Sequence, residues 1–305
     1  MNRVSDIDLR LLRVFVVVVE SEGFAAAESV LNVSTSTISL HIGNLESRLG
    51  IRLCERGRRG FSLTERGKVV FEETKRLLKT IDDFSGIVAS TKSLLAGRLV
   101  VGMVDALTAH ADFPLAEAIR EFNKVKNEVE FDLIVGTRQS LERDVLSGQI
   151  HAALGPFKRD SDALNVTPLF YEPHDLYCGE GHPLFGATIN DVKNVDFTQY
   201  ATIQRPYHRG FSVEHFDAVR EGGAVNSMEG MLTMLLSGGY LGFLPRHFAK
   251  PWEQQGKLYA VDRVSMTYVS EHAVITKKGA RESIALNPFV AALKKVATLR
   301  RREDG

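Results

Sequence analysis

One stretch of the chain constrains its architecture more than any other: residues 66–92 carry a heptad repeat of mostly apolar side chains. Its members lie 4, 3, 4, 3 and 4 residues apart, at Val70, Thr74, Leu77, Ile81, Phe84 and Val88. This spacing predicts a single helix of roughly 25 residues, which is long for a helix within a globular domain. We expect it to dimerise and to link an N-terminal domain, residues 1–65, to a larger domain, residues 93–305. An amphipathic helix packed on its own domain is the alternative.

The composition is that of a globular protein and excludes several classes. The 305 residues include 38 Lys+Arg and 38 Asp+Glu, so a zero formal net charge argues against coating nucleic acid by bulk charge. Two cysteines, Cys54 and Cys178, are too few for a disulfide framework or a cysteine zinc site. The longest N-terminal apolar run, residues 14–19, is too short to span a membrane. We expect a cytoplasmic protein with no secretory signal, membrane partner, cofactor or metal.

The first 50 residues predict three helices. Residues 8–20 contain a valine run that suits helix or strand, but the helical spacing of the apolar side chains favours a helix. Residues 25–31 predict a short second helix. A third helix is expected to be capped by Ser34 or Thr35 and to end at about residue 49.

The third helix has one apolar stripe and an opposite face of mostly small side chains. The stripe contains Ile38, Ile42 and Leu45. The opposite region includes Ser36, Ser39, Leu40 and Gly43. Two short helices joined by a tight turn, the second with such a face, form the helix-turn-helix that enters a DNA major groove. An ordinary three-helix bundle with a solvated face is the alternative.

A cluster of arginines follows the third helix. Residues 52–59 hold four arginines against one glutamate, a net charge of +3. The arginines are Arg52, Arg56, Arg58 and Arg59. Gly57 and Gly60 flank the last pair, which predicts a hairpin, or wing, whose tip contacts the phosphate backbone.

The order of residues 9–67 resembles the winged helix-turn-helix of LysR-type transcriptional regulators. The matching segments read LRLLRVF (9–15), GFAAAE (23–28), VSTSTIS (33–39), LESRLGIRL (45–53) and LTERG (63–67). The resemblance implies DNA contacts from the third helix and the wing. With the residues that precede the third helix, the expected DNA-binding set is Ser34, Thr35, Ser36, Ser39, Leu40, Gly43, Arg52, Arg56, Arg58 and Arg59. We expect hydroxyl groups and Leu40, against a thymine methyl, to read the bases.

The remaining two-thirds alternate between strand and helix, which predicts a mostly parallel sheet covered on both faces. We expect two α/β lobes joined by crossovers near residues 168 and 268. Lobe I would comprise residues 93–168 and 269–305, and lobe II residues 169–268. This part resembles the effector domain of the same family, which is similar to periplasmic solute-binding proteins. The predicted fold class is therefore α/β multidomain: a winged helix-turn-helix, a long linker helix and a two-lobed effector domain of the periplasmic-binding-protein type.

Ligands of open α/β sheets bind beyond the carboxyl ends of the strands, so a small-molecule effector is expected between the lobes. The candidates are Asp105, Thr108, Thr137, Arg138, Gln204, Arg205, Ser227 and Phe243. A capping or turn role is the alternative for each of them. The nine histidines form no compact ligand motif in the sequence, so we expect most of them on the surface or in the core.

The predicted function is a transcriptional regulator that binds double-stranded DNA and is controlled by a small-molecule effector. Two DNA-binding domains on one homodimer imply a partly palindromic operator. The resemblance also implies homotetramers, and RNA polymerase is a further partner if the protein activates transcription. The chain lacks the common hydrolase, phosphate-loop and zinc-protease motifs, so no enzyme is expected. A solute-binding protein and a thiol redox sensor that uses Cys178 are the alternatives.

Overall fold

The computed structural model describes residues 6–57, 60–90, 95–158, 161–193, 195–205, 220–279 and 284–303. The chain divides into two compact units, Met1–Val88 and Ala89–Gly305. Among the described residues, no helix is both long and apolar enough to cross a membrane.

The N-terminal unit contains three helices, a hairpin and a long fourth helix, as the sequence predicts. Their bounds are α1 Asp6–Glu20, α2 Phe24–Leu31, α3 Thr35–Leu49, β1 Cys54–Gly57, β2 Gly60–Leu63 and α4 Glu65–Ser90. The valine run of α1 is helical because Phe15 and Val18 belong to a core in which both are fully buried. Packing therefore outweighs the strand preference of valine.

Local chemistry sets the ends of α2 and α3. Asn32 joins them with φ 53°, a left-handed conformation that asparagine tolerates. The Ser34 hydroxyl caps α3 by accepting from the Thr37 N–H. Gly50 ends the helix with φ 69°, and its N–H donates to the Glu46 carbonyl.

The first positions of the heptad repeat in the long helix α4 pack within the N-terminal unit. Val70 packs against the core of α1 and α3, and Thr74 is only 3% exposed. Farther along, Leu77, Phe84 and Val88 are exposed, Phe84 by 64%. The alternative of packing on its own domain therefore holds for the first part of the repeat, and the later part leaves apolar side chains exposed.

The C-terminal unit contains one nine-stranded sheet with helices around it. The elements are β3 Leu95–Met103, α5 Leu115–Phe122, β4 Asn127–Val135, α6 Arg138–Ser147, β5 Ala152–Gly155, β6 Leu164–Gly179, α7 Ile189–Val192, β7 Ala201–Gln204, β8 Arg220–Ala224, α8 Met228–Leu236, β9 Leu241–Pro245, α9 Arg246–Gln254, β10 Leu258–Ala260, β11 Thr267–Lys277 and α10 Leu286–Glu303. The strand order is β4-β3-β5-β11-β6-β9-β7-β8, and β10 pairs with β6.

The sheet is mixed rather than mostly parallel, because two long strands, β6 and β11, pair antiparallel with each other and run through both of the predicted lobes. At one end β11 pairs with β5, and at the other end β6 pairs with β9 and β10. The crossovers predicted near residues 168 and 268 therefore lie inside β6 and β11. In the middle of this ladder Glu172 is opposite Ser270, and the register shifts between His272 and Ala273.

Candidate DNA interface and effector cavity

The outer face of α3 is available for contact with DNA. Ile38 and Ile42 are fully buried on the inner face, whereas Leu40 is 62% exposed. Ser36 and Gly43 are also exposed, and Ser39 is half-buried. A short, mostly polar surface on a fixed helix is suited to close approach in the major groove.

Two of the predicted DNA-binding hydroxyls also have roles within the protein. Ser34 caps α3, and its Oγ lies 2.9 Å from the hydroxyls of Ser36 and Thr37. The Thr35 hydroxyl donates to the Glu28 carboxylate on α2. These contacts fix the start of α3 relative to α2 and orient the hydroxyl groups before DNA binds.

The wing is attached to α3 by a glutamate that was not among the sequence candidates. Glu46 Oε1 accepts from the N–H groups of Leu53 at 2.7 Å and Cys54 at 3.1 Å. Arg52 Nε donates to the Cys54 carbonyl at 3.2 Å. Of the remaining wing arginines, Arg56 belongs to β1, and Arg58 and Arg59 lie outside the described residues.

The C-terminal unit contains a small cavity at the middle of β6 and β11. The volume open to the centre of a water molecule is about 20 Å³, which is enough for one water. Its lining residues are Val104, Asp105, Leu107, Arg138, Pro156, Glu172, His174, Arg205, Met228, Tyr268, Ser270 and His272. Three of these residues were predicted because they follow the ends of strands: Asp105, Arg138 and Arg205.

The other five effector candidates are not among the residues that line this cavity. Thr137 and Ser227 cap α6 and α8, which is the alternative role considered for them. Phe243 packs edge-on against Tyr268 with ring centroids 5.2 Å apart. Thr108 is exposed, and Gln204 is half-buried at the end of β7.

Asp105 connects β3 to the opposite side of the cavity. Its carboxylate accepts from the Met228 N–H at the start of α8 and lies 3.7 Å from the guanidinium of Arg205. Burial lowers the pKa of Arg205, and the Asp105 charge opposes that effect. Because an arginine guanidinium stays protonated in proteins, Asp105 and Arg205 largely balance each other's charge.

A second carboxylate, Glu172, is surrounded by histidines. Glu172 is 2% exposed, and its Oε2 accepts from the Nε2 atoms of His174 at 2.7 Å and His272 at 3.0 Å. Burial acts to raise the pKa of Glu172, but these two hydrogen bonds outweigh it and hold the pKa well below its ordinary value. Burial lowers the pKa of His174 despite the neighbouring carboxylate. The cluster therefore holds a buried negative charge.

Sequence reasoning missed this cluster, because its members are distant in the chain and lie within strands. Glu172 and His174 are two residues apart on β6, and Ser270 and His272 are two apart on β11. Polar side chains at alternate positions of two buried strands point to one face, which is the signal that could have located them. The expectation that the histidines lie on the surface or in the core holds only in part.

The thiol alternative has little support from the geometry. Cys178 is fully buried, and burial raises the pKa of its thiol to about 12. Cys54 is 2% exposed and lies in the N-terminal unit. A redox-sensing cysteine needs an accessible thiolate, and neither side chain meets that condition.

Comparison with known proteins identifies both units. Residues 9–68 match the bacterial regulatory helix-turn-helix of the LysR family, and residues 92–298 match the LysR substrate binding domain. The HTH-type transcriptional activator BauR of Pseudomonas aeruginosa is 33% identical over 295 residues, 96% of each chain.

Solved structures show the same fold. The crystal structure of CbnR, a LysR family transcriptional regulator, superposes with a TM-score of 0.66 at 18% identity, covering 95% of this chain and 99% of that one. Full-length CbnR in complex with its target DNA gives the same TM-score at 19% identity, with the same coverage. The chain belongs to the LysR family of bacterial transcriptional regulators.

Proposed function

We propose that this regulator binds a partly palindromic operator as a homodimer, with α3 in the major groove and the wing on the phosphate backbone. The observation that carries this proposal is the exposed face of Ser36, Leu40 and Gly43 beside a wing of net charge +3. The small polar face supplies the fit to bases, and the arginines supply sequence-independent attraction.

Substitution at the wing tip tests the phosphate contacts. Arg58→Ala and Arg59→Ala should weaken binding to operator and to unrelated duplexes alike. Each lost phosphate contact should lower the slope of log K against log salt by about 1. Fluorescence anisotropy titrations between low and moderate salt measure both quantities, and Arg120→Ala, an exposed arginine of the other unit, is the control. An unchanged slope in both wing variants contradicts the assignment.

The exposed part of α4 is our proposed dimerisation surface. Leu77, Phe84 and Val88 continue the heptad repeat beyond the part that packs on the N-terminal unit. Phe84→Arg should shift the protein towards monomers in sedimentation equilibrium and weaken operator binding, because a buried charge at a helix seam is costly. Val69→Arg is the matched control, since Val69 is also exposed on α4 but lies outside the repeat. If the Phe84→Arg and Val69→Arg dimers dissociate equally, this part of α4 is not the dimerisation surface.

We further propose that a small-molecule effector binds in the cavity at β6 and β11 and changes the relative orientation of the lobes, and thereby of the DNA half-sites. In this proposal, Asp105, Arg138 and Arg205, together with the Glu172 cluster, make the polar contacts to the effector. A compound that binds there should change DNA bending or the operator footprint. If a compound bound in the cavity and changed neither DNA bending, nor the operator footprint, nor transcription, the proposed coupling between effector binding and DNA binding would be wrong.

The name of BauR describes an activator, which favours activation and RNA polymerase as a partner. We place the protein in the cytoplasm, as a non-enzymatic regulator that forms dimers and, by pairing of dimers, tetramers.

A further inference from the structure

The first turn of α3 carries hydroxyl groups rather than cations. Thr35 and Ser36 are the first two residues of the helix. The one arginine in the sequence of α3 is Arg48, about 20 Å farther along the helix axis, where it is paired with Asp8 on α1. The commonest base-specific contact, an arginine on guanine, is therefore not made from this turn, and hydroxyl groups have to read the bases there.

The hydroxyl of Thr35 has a fixed direction within the protein. It donates to a carboxylate oxygen of Glu28, which lies on α2. An ionised carboxylate only accepts hydrogen bonds, so the single proton of the hydroxyl points to Glu28. A hydroxyl group has one donor and two lone pairs. The lone pairs are therefore the part of the Thr35 hydroxyl that remains for another molecule.

The neighbouring hydroxyls do not compete for this carboxylate. Ser34 Oγ lies 2.9 Å from the hydroxyls of Ser36 and Thr37 and also accepts from the Thr37 N–H at 3.3 Å. These three hydroxyls form a cap cluster of their own, and Thr35 alone among them bonds to Glu28. Glu28 is exposed and Thr35 is half-buried, so the pair lies at the surface. The start of α3 thus presents an acceptor oxygen beside a negative charge.

The four bases differ in how well they match such a pair. In the major groove guanine presents the acceptors N7 and O6, and thymine presents the acceptor O4. A hydroxyl lone pair beside a carboxylate repels these atoms. Cytosine presents its N4 amino group, and adenine presents an N6 amino group next to the acceptor N7. Cytosine therefore fits best, and adenine comes second.

We propose that Thr35 reads the exocyclic amino group of one base in each half-site, that of cytosine before that of adenine. Glu28 is the positioning residue, because its carboxylate takes the hydroxyl proton and makes Thr35 an acceptor. This assignment rests on the proposed function, in which α3 lies in the major groove, and adds the chemistry of one base contact to it.

Selection of duplexes from a randomised library by the full-length protein, followed by sequencing, measures the base preference at every operator position. Thr35→Val removes the oxygen and keeps the shape of the side chain. The position at which this variant loses its preference is the position that Thr35 reads. There the wild-type protein should favour cytosine over guanine by about tenfold, the effect of one hydrogen bond made or left unmade.

Two substitutions of Glu28 separate the hydrogen bond from the charge. Glu28→Ala frees the Thr35 hydroxyl to donate as well as accept, so the preference at that position alone should fall to about twofold or less. Glu28→Gln keeps a carbonyl oxygen that accepts the proton, so a preference of about fivefold should remain. Both variants should bind all duplexes more tightly, because a negative charge near the phosphates is lost.

The matched control is Ser29→Ala. Ser29 is the exposed neighbour of Glu28, and its hydroxyl donates to the Ala26 carbonyl of the same helix. This substitution should leave the preference at every position unchanged.

Several results would overturn the assignment. One is guanine or thymine at the position where Thr35→Val loses its preference. Another is a loss in Glu28→Gln as complete as in Glu28→Ala, because the charge alone would then set the preference. If Leu40→Ala changes the preference at one position and Thr35→Val changes none, Thr35 does not read a base, although α3 still lies in the groove. If neither variant changes any position, or the wild-type protein selects no sequence, the proposed function fails together with this assignment.

Discussion

Glu46 holds the wing against α3, and its removal should weaken that attachment by an amount that follows from its two hydrogen bonds. One carboxylate oxygen, Oε1, accepts from both Leu53 and Cys54 N–H groups, and Leu53 is fully buried. Glu46→Ala removes this shared acceptor and leaves two backbone donors unsatisfied. At about 1–3 kcal/mol for each unsatisfied donor, in a partly buried site, we expect a local cost of about 3 kcal/mol.

Glu46→Gln should be much milder. Because both donors reach the same oxygen, the carbonyl oxygen of a glutamine amide can accept both bonds and lose only the assistance of the charge. We expect a cost of about 1 kcal/mol for this variant. The contrast between the two substitutions therefore isolates the hydrogen bonds from the charge.

Hydrogen exchange with mass spectrometry of the full-length protein measures this opening directly at peptides that cover residues 52–56. Exchange of the Leu53 and Cys54 amides should accelerate by roughly 150-fold in Glu46→Ala and by about fivefold in Glu46→Gln, the factors that correspond to those free energies. Ser47→Ala, the exposed neighbour on the same helix, is the control. Equal exchange in Glu46→Ala and Ser47→Ala would refute the view that Glu46 anchors the wing.

Three further predictions concern single positions. Gly43→Ala should stabilise α3 by about 1 kcal/mol, because a Cβ there meets no atom within 4 Å. The affinity for the operator should fall if this face of α3 lies against DNA. An unchanged affinity would argue against a close approach of α3 to DNA. Gly179→Ala should destabilise the C-terminal unit by about 2–3 kcal/mol, since its Cβ would lie 2.0 Å from the Leu235 carbonyl oxygen; fluorescence of Trp252, the only tryptophan, during urea unfolding reports it. Cys178, whose pKa is raised to about 12 by burial, should stay unmodified by a thiol reagent at pH 8 until the protein unfolds; rapid labelling of the native protein would revive the redox alternative.

Elements with a strong local signal could be predicted closely from the sequence. Helix α5, Leu115–Phe122, follows from the sequence because its apolar side chains recur at helical spacing. The capping of α3 by Ser34 and its end before Gly50 also follow from residue chemistry that acts over a few positions.

Elements that depend on distant partners could not be predicted. Strand β6 contains Pro168 and Pro173, which are typical of strand breaks, but pairing with β11 carries the strand through them. Helix α9 contains Pro251, and β8 contains two adjacent glycines, so neither has a recognisable pattern. Tertiary contacts decide such segments, and these contacts are invisible in local spacing.

The residues of the candidate site also divide into those that could be predicted from the sequence and those that could not. Asp105, Arg138 and Arg205 were found because the ends of strands are known ligand positions in open α/β sheets. Glu172 and His272 were missed because they lie in the middle of strands, a hundred positions apart, and meet only through the pairing of β6 with β11.

The sharing of β6 and β11 by both lobes limits how this protein can respond to an effector. Lobes joined by flexible linkers could slide or separate, but two lobes that share a continuous backbone ladder would have to break its hydrogen bonds to do so. Twist and bend about the paired strands are the deformations that preserve the ladder. On the proposed function, an effector beside Glu172 and Ser270 would lie next to the paired strands about which such a deformation occurs. Substitutions that stiffen the two strands should therefore weaken the response to an effector while leaving its binding intact.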